Sequence, residues 1–197
     1  MTDAKGWYSR GYLPHFDAPD RIQAITFRLA DSLPAEVVGR LAADRTVTAE
    51  ERRRRIAAVL DRGLGSCALN DPRVAALVEE ALLTFDGTRY RLLAWTVMPN
   101  HVHVVLVQQL GHQLPRIVKS WKAFTAAKAN CLLGRTGQFW QPDYFDRVVR
   151  NERHLAAAIH YVEMNPVKAG LVLAPEEWPY GSARRRTIGG GPEGPPS

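Results

Sequence analysis

Two apolar runs separated by only two residues constrain this chain more than any other feature. Tyr90 to Met98 reads YRLLAWTVM, and His101 to Leu106 reads HVHVVL. Both are rich in β-branched and aromatic residues, which suit a pleated, buried surface. Pro99-Asn100 between them is turn chemistry. The pattern predicts an antiparallel hairpin. Side chains along a strand alternate faces, so His101 and His103 project together while Val102 and Val104 point the other way. One histidine in an apolar strand is ordinarily a hydrogen-bonded core residue. Two on one face form half of a divalent-metal site and ask for a third ligand.

The rest of the chain reads as elements around this hairpin. Arg21 to Leu29 alternates as a first strand, and residues 33–63 carry a helical pattern with a pause near Thr46–Thr48. Gly63-Leu-Gly65 breaks it. Asp71 and Pro72 then supply a helix N-cap and first position, and Val74, Leu77, Val78, Ala81 and Leu82 a stripe at helical spacing. That helix should end near Phe85–Gly87. After Gly111 a further helix places Leu114, Ile117, Val118, Trp121 and Phe124 on one face. The aromatic stretch from Phe139 to Phe145 leads through a short strand to Arg150. Asn151 caps a last helix that Pro166 should stop. The expected organisation is an N-terminal aromatic loop over 1–20, one domain over 21–182, and a basic, then Gly/Pro-rich, disordered tail over 183–197. This order predicts an α+β fold, an antiparallel sheet covered on one face by helices.

Composition narrows the function. The 197 residues suit one domain, and 46% of them are hydrophobic. Only two cysteines, Cys67 and Cys131, are present, without CxxC spacing, so neither a disulfide framework nor a zinc-ribbon site is indicated. No segment approaches the ~20 apolar residues of a membrane span. A soluble, cytoplasmic, nucleoid-associated protein is expected. The net charge is +6, and residues 111–153 hold eight Lys or Arg against three Asp or Glu. Such a balance favours a polyanionic partner, nucleic acid before membrane. Arg116, Lys119 and Lys122 recur at spacings of three along one helix flank, and the short strand leads to Arg147 and Arg150. These five are the candidate DNA contacts.

The last helix presents Tyr161 and Asn165, four apart and so neighbours on one flank. Alone they read as a packing tyrosine and a cap. Together with the histidines they complete a pattern. Met98-Pro-Asn-His-Val-His103, Phe139-Trp-Gln141 with Phe145, and Tyr161-Val-Glu-Met-Asn-Pro-Val-Lys-Ala-Gly170 resemble the REP-associated tyrosine transposases, relatives of single-strand insertion-sequence transposases within the HUH endonuclease group. The opening Arg10-Gly-Tyr-Leu-Pro-His-Phe16 resembles one branch of them. Residues 31–66 are longer than the minimal family core. The resemblance implies a ferredoxin-like fold that cuts and rejoins single-stranded DNA beside a REP-type hairpin. It implies Mg²⁺ or Mn²⁺ on His101, His103 and Asn165, with Tyr161 as nucleophile, in a monomer or homodimer. Tyrosine attack on a phosphodiester would leave a 5′-phosphotyrosine and a free 3′-hydroxyl, and rejoining would need no nucleotide. Two other functions stand beside this one: a hairpin-DNA-binding protein that does not cut, and a metal-dependent phosphoesterase that uses water.

Overall fold

The computed structural model describes residues 6–10, 13–33, 46 and 48–188. The helical pattern over 34–45 and the end of the chain from 189 lie outside these. Strands β1 (Gly6–Arg10) and β2 (Leu13–Asp17) pair antiparallel as a separate two-stranded ribbon. The predicted N-terminal loop is therefore largely strand. Pro14 lies within the ribbon opposite Ser9, since a proline is tolerated in an edge strand.

The main sheet comprises β3 (Ile22–Arg28), β4 (Tyr90–Val97), β5 (His101–Gln108) and β6 (Phe145–Val148), in the order β4-β5-β3-β6 with every pair antiparallel. Helices α1 (Ala49–Leu60) and α2 (Pro72–Leu83) lie between β3 and β4, and α3 (Leu114–Leu132) between β5 and β6. Helix α4 (Glu152–Glu163) follows β6, and the short α5 (Asn165–Lys168) and α6 (Ser182–Thr187) come after it. This is the ferredoxin-like βαββαβ arrangement. The β4–β5 hairpin forms as expected, closed by the Met98 N–H donating to the His101 carbonyl at 2.8 Å.

Helices cover both faces of the sheet rather than one. Ile25, Phe27, Leu92, Val97, Val102, Val104 and Leu106 face α2 and α3, which contribute Val74, Val78, Leu82, Leu114, Ile117 and Trp121 to the larger core. Leu93, Ala94 and Val105 face α4, meeting Leu155 and Val162. A register shift between Leu92 and Ala94 lets β4 serve both cores. Leu92 and Trp95 reach one face while Leu93 and Ala94 reach the other. The histidines share the α4 face.

Asp71 accepts from the Arg73 N–H and Asn151 from the His154 N–H, so both predicted caps are present. Three expectations change. Phe124 is exposed, and Thr125 takes the buried position four residues after Trp121. Pro166 does not simply end the last helix; Met164 breaks α4, and Pro166 sits inside the first turn of α5. Residues 183–187, assigned to the tail, are helical, with Ala183 buried and Arg186 donating to the Leu93 carbonyl and pairing with Glu163.

Candidate active site

The site is built at the start of β5. His101 and His103 are buried, and their Nε2 atoms lie 2.9 Å apart. Their other ring nitrogens fix how protons are distributed. Asn100 is fully buried; its Nδ2 donates to the carbonyls of Leu60 (3.2 Å) and Leu64 (2.9 Å), which orients Oδ1 toward His101 Nδ1 at 2.7 Å. An amide oxygen only accepts, so Nδ1 of His101 carries the proton and its Nε2 offers a lone pair. His103 Nε2 must then donate to it, and His103 Nδ1 accepts from the Thr26 hydroxyl at 2.8 Å. Thr26 sits opposite His103 across the β3–β5 ladder. Burial drives both imidazoles toward neutrality: His103 is lowered to about 4, and His101 is lowered well below its ordinary value, with the neighbouring His103 adding to the effect of burial.

Tyr161 comes to the histidines from α4. Its ring meets that of His103 edge-on, with centroids 5.4 Å apart. The Lys168 ammonium lies 4.8 Å from the centre of the same ring. Burial raises the Tyr161 pKa, and the charge of Asp61 raises it further, while the nearby Asn165 amide works the other way. Asn165 is wholly buried, yet both of its amide atoms lack a hydrogen bond of ordinary geometry among the described residues. Leaving such groups unpaired costs about 1–3 kcal/mol each, so an orphaned carboxamide in the interior needs an explanation. Beside Tyr161 opens a cleft of about 400 Å³, lined in part by Thr26, His103, Phe145, Arg147 and His154.

The structure thus gathers His101, His103, Tyr161 and Asn165. It separates the basic candidates. Arg147 borders the cleft and Arg150 is exposed nearby on the chain. Arg116 and Lys119 are exposed on α3, a helix packed on the opposite face of the sheet. The Lys122 ammonium donates to the Gln141 and Pro142 carbonyls, and so latches the aromatic loop to α3. Of the titratable groups next to Tyr161 on α4, His160 is exposed, and Glu163 is engaged by Ser182 and Arg186. Sequence reasoning missed Thr26, Asn100 and Lys168. Asn100 and Lys168 lie within the motifs, where a polar residue fixed beside a histidine or a tyrosine was the available signal.

Comparison with known proteins finds relatives in both sequence and fold. The family described as "Transposase IS200 like" matches residues 71–165, a segment that contains all four gathered residues. A REP-associated tyrosine transposase of Escherichia coli (strain K12) is 30% identical over 98 residues, covering 49% of this chain and 56% of that protein. A second relative, from Haemophilus influenzae, is 25% identical over 118 residues, covering 52% of this chain and 64% of that protein. The match thus spans between about half and two thirds of the curated relatives' length. A solved REP-associated tyrosine transposase bound to a REP hairpin superposes with a TM-score of 0.59 at 17% identity, over 96% of this chain and 87% of that one, which establishes the shared fold. Residues 71–165 therefore carry the Transposase IS200-like family pattern, and the resemblance to REP-associated tyrosine transposases is borne out in sequence and fold.

Proposed function

We propose that this chain cuts and rejoins single-stranded DNA beside a REP-type hairpin, with Tyr161 as the nucleophile. The observation that carries the reading is the edge-on contact of the Tyr161 and His103 rings, 5.4 Å between centroids, within a single chain. A phenol delivered to a pair of neutral, buried imidazoles suits phosphoryl transfer. It is a poor arrangement for a domain that only grips a hairpin. The REP hairpin bound by the structural relative suggests the same class of partner here.

The residues fit a divalent ion. His101 already offers its Nε2 lone pair, and His103 can do so once its proton moves to Nδ1, where the Thr26 hydroxyl turns to accept it. Asn165 supplies a carboxamide oxygen that accepts no hydrogen bond of ordinary geometry among the described residues and lies beside the Tyr161 phenol. Mg²⁺ or Mn²⁺ held there would offset charge building on the phosphate oxygens. The chain's own residues do the rest. Tyr161 Oη forms a bond to phosphorus as the bond to the 3′-oxygen breaks. The phenol proton leaves to water, and the departing oxygen gains one. Lys168 above the ring favours the phenolate against the burial that opposes it. The product is a 5′-phosphotyrosine and a free 3′-hydroxyl, and attack by that hydroxyl reverses the step.

The test is a hairpin oligonucleotide with a labelled single-stranded flank, incubated with Mn²⁺ or Mg²⁺. Wild type should cut it, and Tyr161→Phe and His103→Ala should not, while both still shift the oligonucleotide in a native gel. Cutting by Tyr161→Phe at the wild-type rate would assign the reaction to water and defeat the proposal.

A further inference from the structure

We infer that Asp61 is a further ligand of the ion held by His101 and His103, a carboxylate brought in from the end of α1. The inference rests on the metal reading above and adds a residue to it. Asp61 is the C-terminal cap of α1. Its Oδ1 lies 3.9 Å from His101 Nε2. That oxygen is buried and has no hydrogen-bond partner among the described residues. Ligands at bonds of about 2.1 Å lie roughly 3 Å apart in cis and about 4.2 Å in trans, and both the 2.9 Å and the 3.9 Å separations are close to that range.

The position is held by the same residue that orients His101. Asn100 Nδ2 binds the carbonyls of Leu60 and Leu64, on either side of Asp61, while its Oδ1 holds the imidazole. The turn bearing the carboxylate and the strand bearing the histidine are thus tied at one side chain. Three His, Cys, Asp or Glu side chains do not already enclose a common point among the described residues. A small inward movement of the carboxylate, together with opening of the His101–His103 hydrogen bond, closes the set. Asn165 gives the second observation: a wholly buried carboxamide beside the Tyr161 phenol whose two polar atoms make no hydrogen bond of ordinary geometry among the described residues.

The donor chemistry also calls for it. Two imidazoles alone suit zinc, nickel or copper as well as manganese, whereas carboxylate and carbonyl oxygens favour the hard ions Mg²⁺ and Mn²⁺. Adding Asp61 to Asn165 balances nitrogen with oxygen and leaves room for a phosphate.

Mn²⁺ titration of the full chain, read by the paramagnetic resonance of free Mn²⁺, tests this with a melting curve of each metal-free protein. Wild type should bind saturably and His103→Ala should not. Asp61→Asn should weaken binding by ~10-fold or more. Its metal-free melting temperature should be unchanged or higher, because a neutral amide replaces a carboxylate whose buried Oδ1 accepts no hydrogen bond among the described residues. Wild-type affinity in Asp61→Asn, with binding lost in His103→Ala, overturns the inference and leaves the metal reading intact. A clear fall in the metal-free melting temperature of Asp61→Asn assigns the residue to folding and also overturns it. Absence of saturable binding by wild type, or its persistence in His103→Ala, removes the metal reading and this inference with it.

Discussion

The Oδ1 of Asn100 accepts the Nδ1 proton of His101 at 2.7 Å, and this one contact decides which ring nitrogen faces the site. Asn100→Ala removes it and also the donations of Nδ2 to the Leu60 and Leu64 carbonyls, of which the Leu60 carbonyl keeps the Gly63 N–H. We expect a loss of about 1–3 kcal/mol in stability from these lost hydrogen bonds, read by chemical denaturation. Mn²⁺ affinity should fall by ~10–100-fold, as for other residues that orient a ligating histidine, read by calorimetric titration of the folded variant.

A buried ion cluster joins the N-terminal ribbon to β6 and predicts how stability depends on pH. His15 is fully buried and lies within hydrogen-bond distance of both Asp143 and Asp146. Burial opposes its charge, but the bonds to Asp143 and Asp146 and their charges outweigh this and raise it to about 9. A raised histidine stabilises the fold fully below its unfolded pKa of about 6.5 and loses that contribution as pH climbs through its folded value. Stability should therefore fall by about 3 kcal/mol between pH ~6.5 and ~9. His15→Gln should flatten that slope and destabilise the protein at pH 7, since it leaves carboxylates without their cation. Denaturation midpoints across pH check both.

The turn that carries Asp61 depends on a glycine. Gly65 adopts φ +89, and a Cβ there would stand 2.5 Å from the Asp31 carbonyl oxygen. Gly65→Ala should cost about 1–3 kcal/mol from backbone strain alone, seen as a lowered melting temperature. Because the displaced turn also holds Asn100 through the Leu64 carbonyl, metal affinity should fall with it.

Lys122 distinguishes a latch from a phosphate contact. Its ammonium is committed to loop carbonyls, and burial lowers its pKa to about 8. Lys122→Met should reduce stability yet leave unchanged the slope of log affinity against log salt for single-stranded DNA. Arg147→Gln, at the cleft, should reduce that slope by about one. Fluorescence anisotropy over a salt series reads both.

The parts of this fold legible in the sequence were the local ones. The hairpin, the two N-caps and the shared face of His101 and His103 follow from period, turn chemistry and caps within a few residues. The buried stripe of α3 was legible up to Trp121. It failed at the next turn because Thr125 satisfies its hydroxyl on the Trp121 carbonyl and accepts from the Trp140 indole, which leaves Phe124 to solvent. What escaped was long-range pairing of polar groups. Thr26 meets His103 across 77 residues, Asn100 meets the Leu60 carbonyl across 40, and His15 meets Asp146 across 131. No periodicity marks such partners, because only the folded sheet brings them together. The convergence of Tyr161 with the histidines was legible only through resemblance. Nothing in helical spacing says which sheet face receives α4.

The central claim is that the phenol of Tyr161 becomes joined to DNA. The most direct measurement is to incubate the protein with a hairpin oligonucleotide and Mn²⁺, denature it, digest it, and identify the modified peptide by mass spectrometry. The account predicts a nucleotide linked through its 5′-phosphate to Tyr161, absent from Tyr161→Phe. Cleaved oligonucleotide with no adduct, or an adduct on another residue, would contradict it.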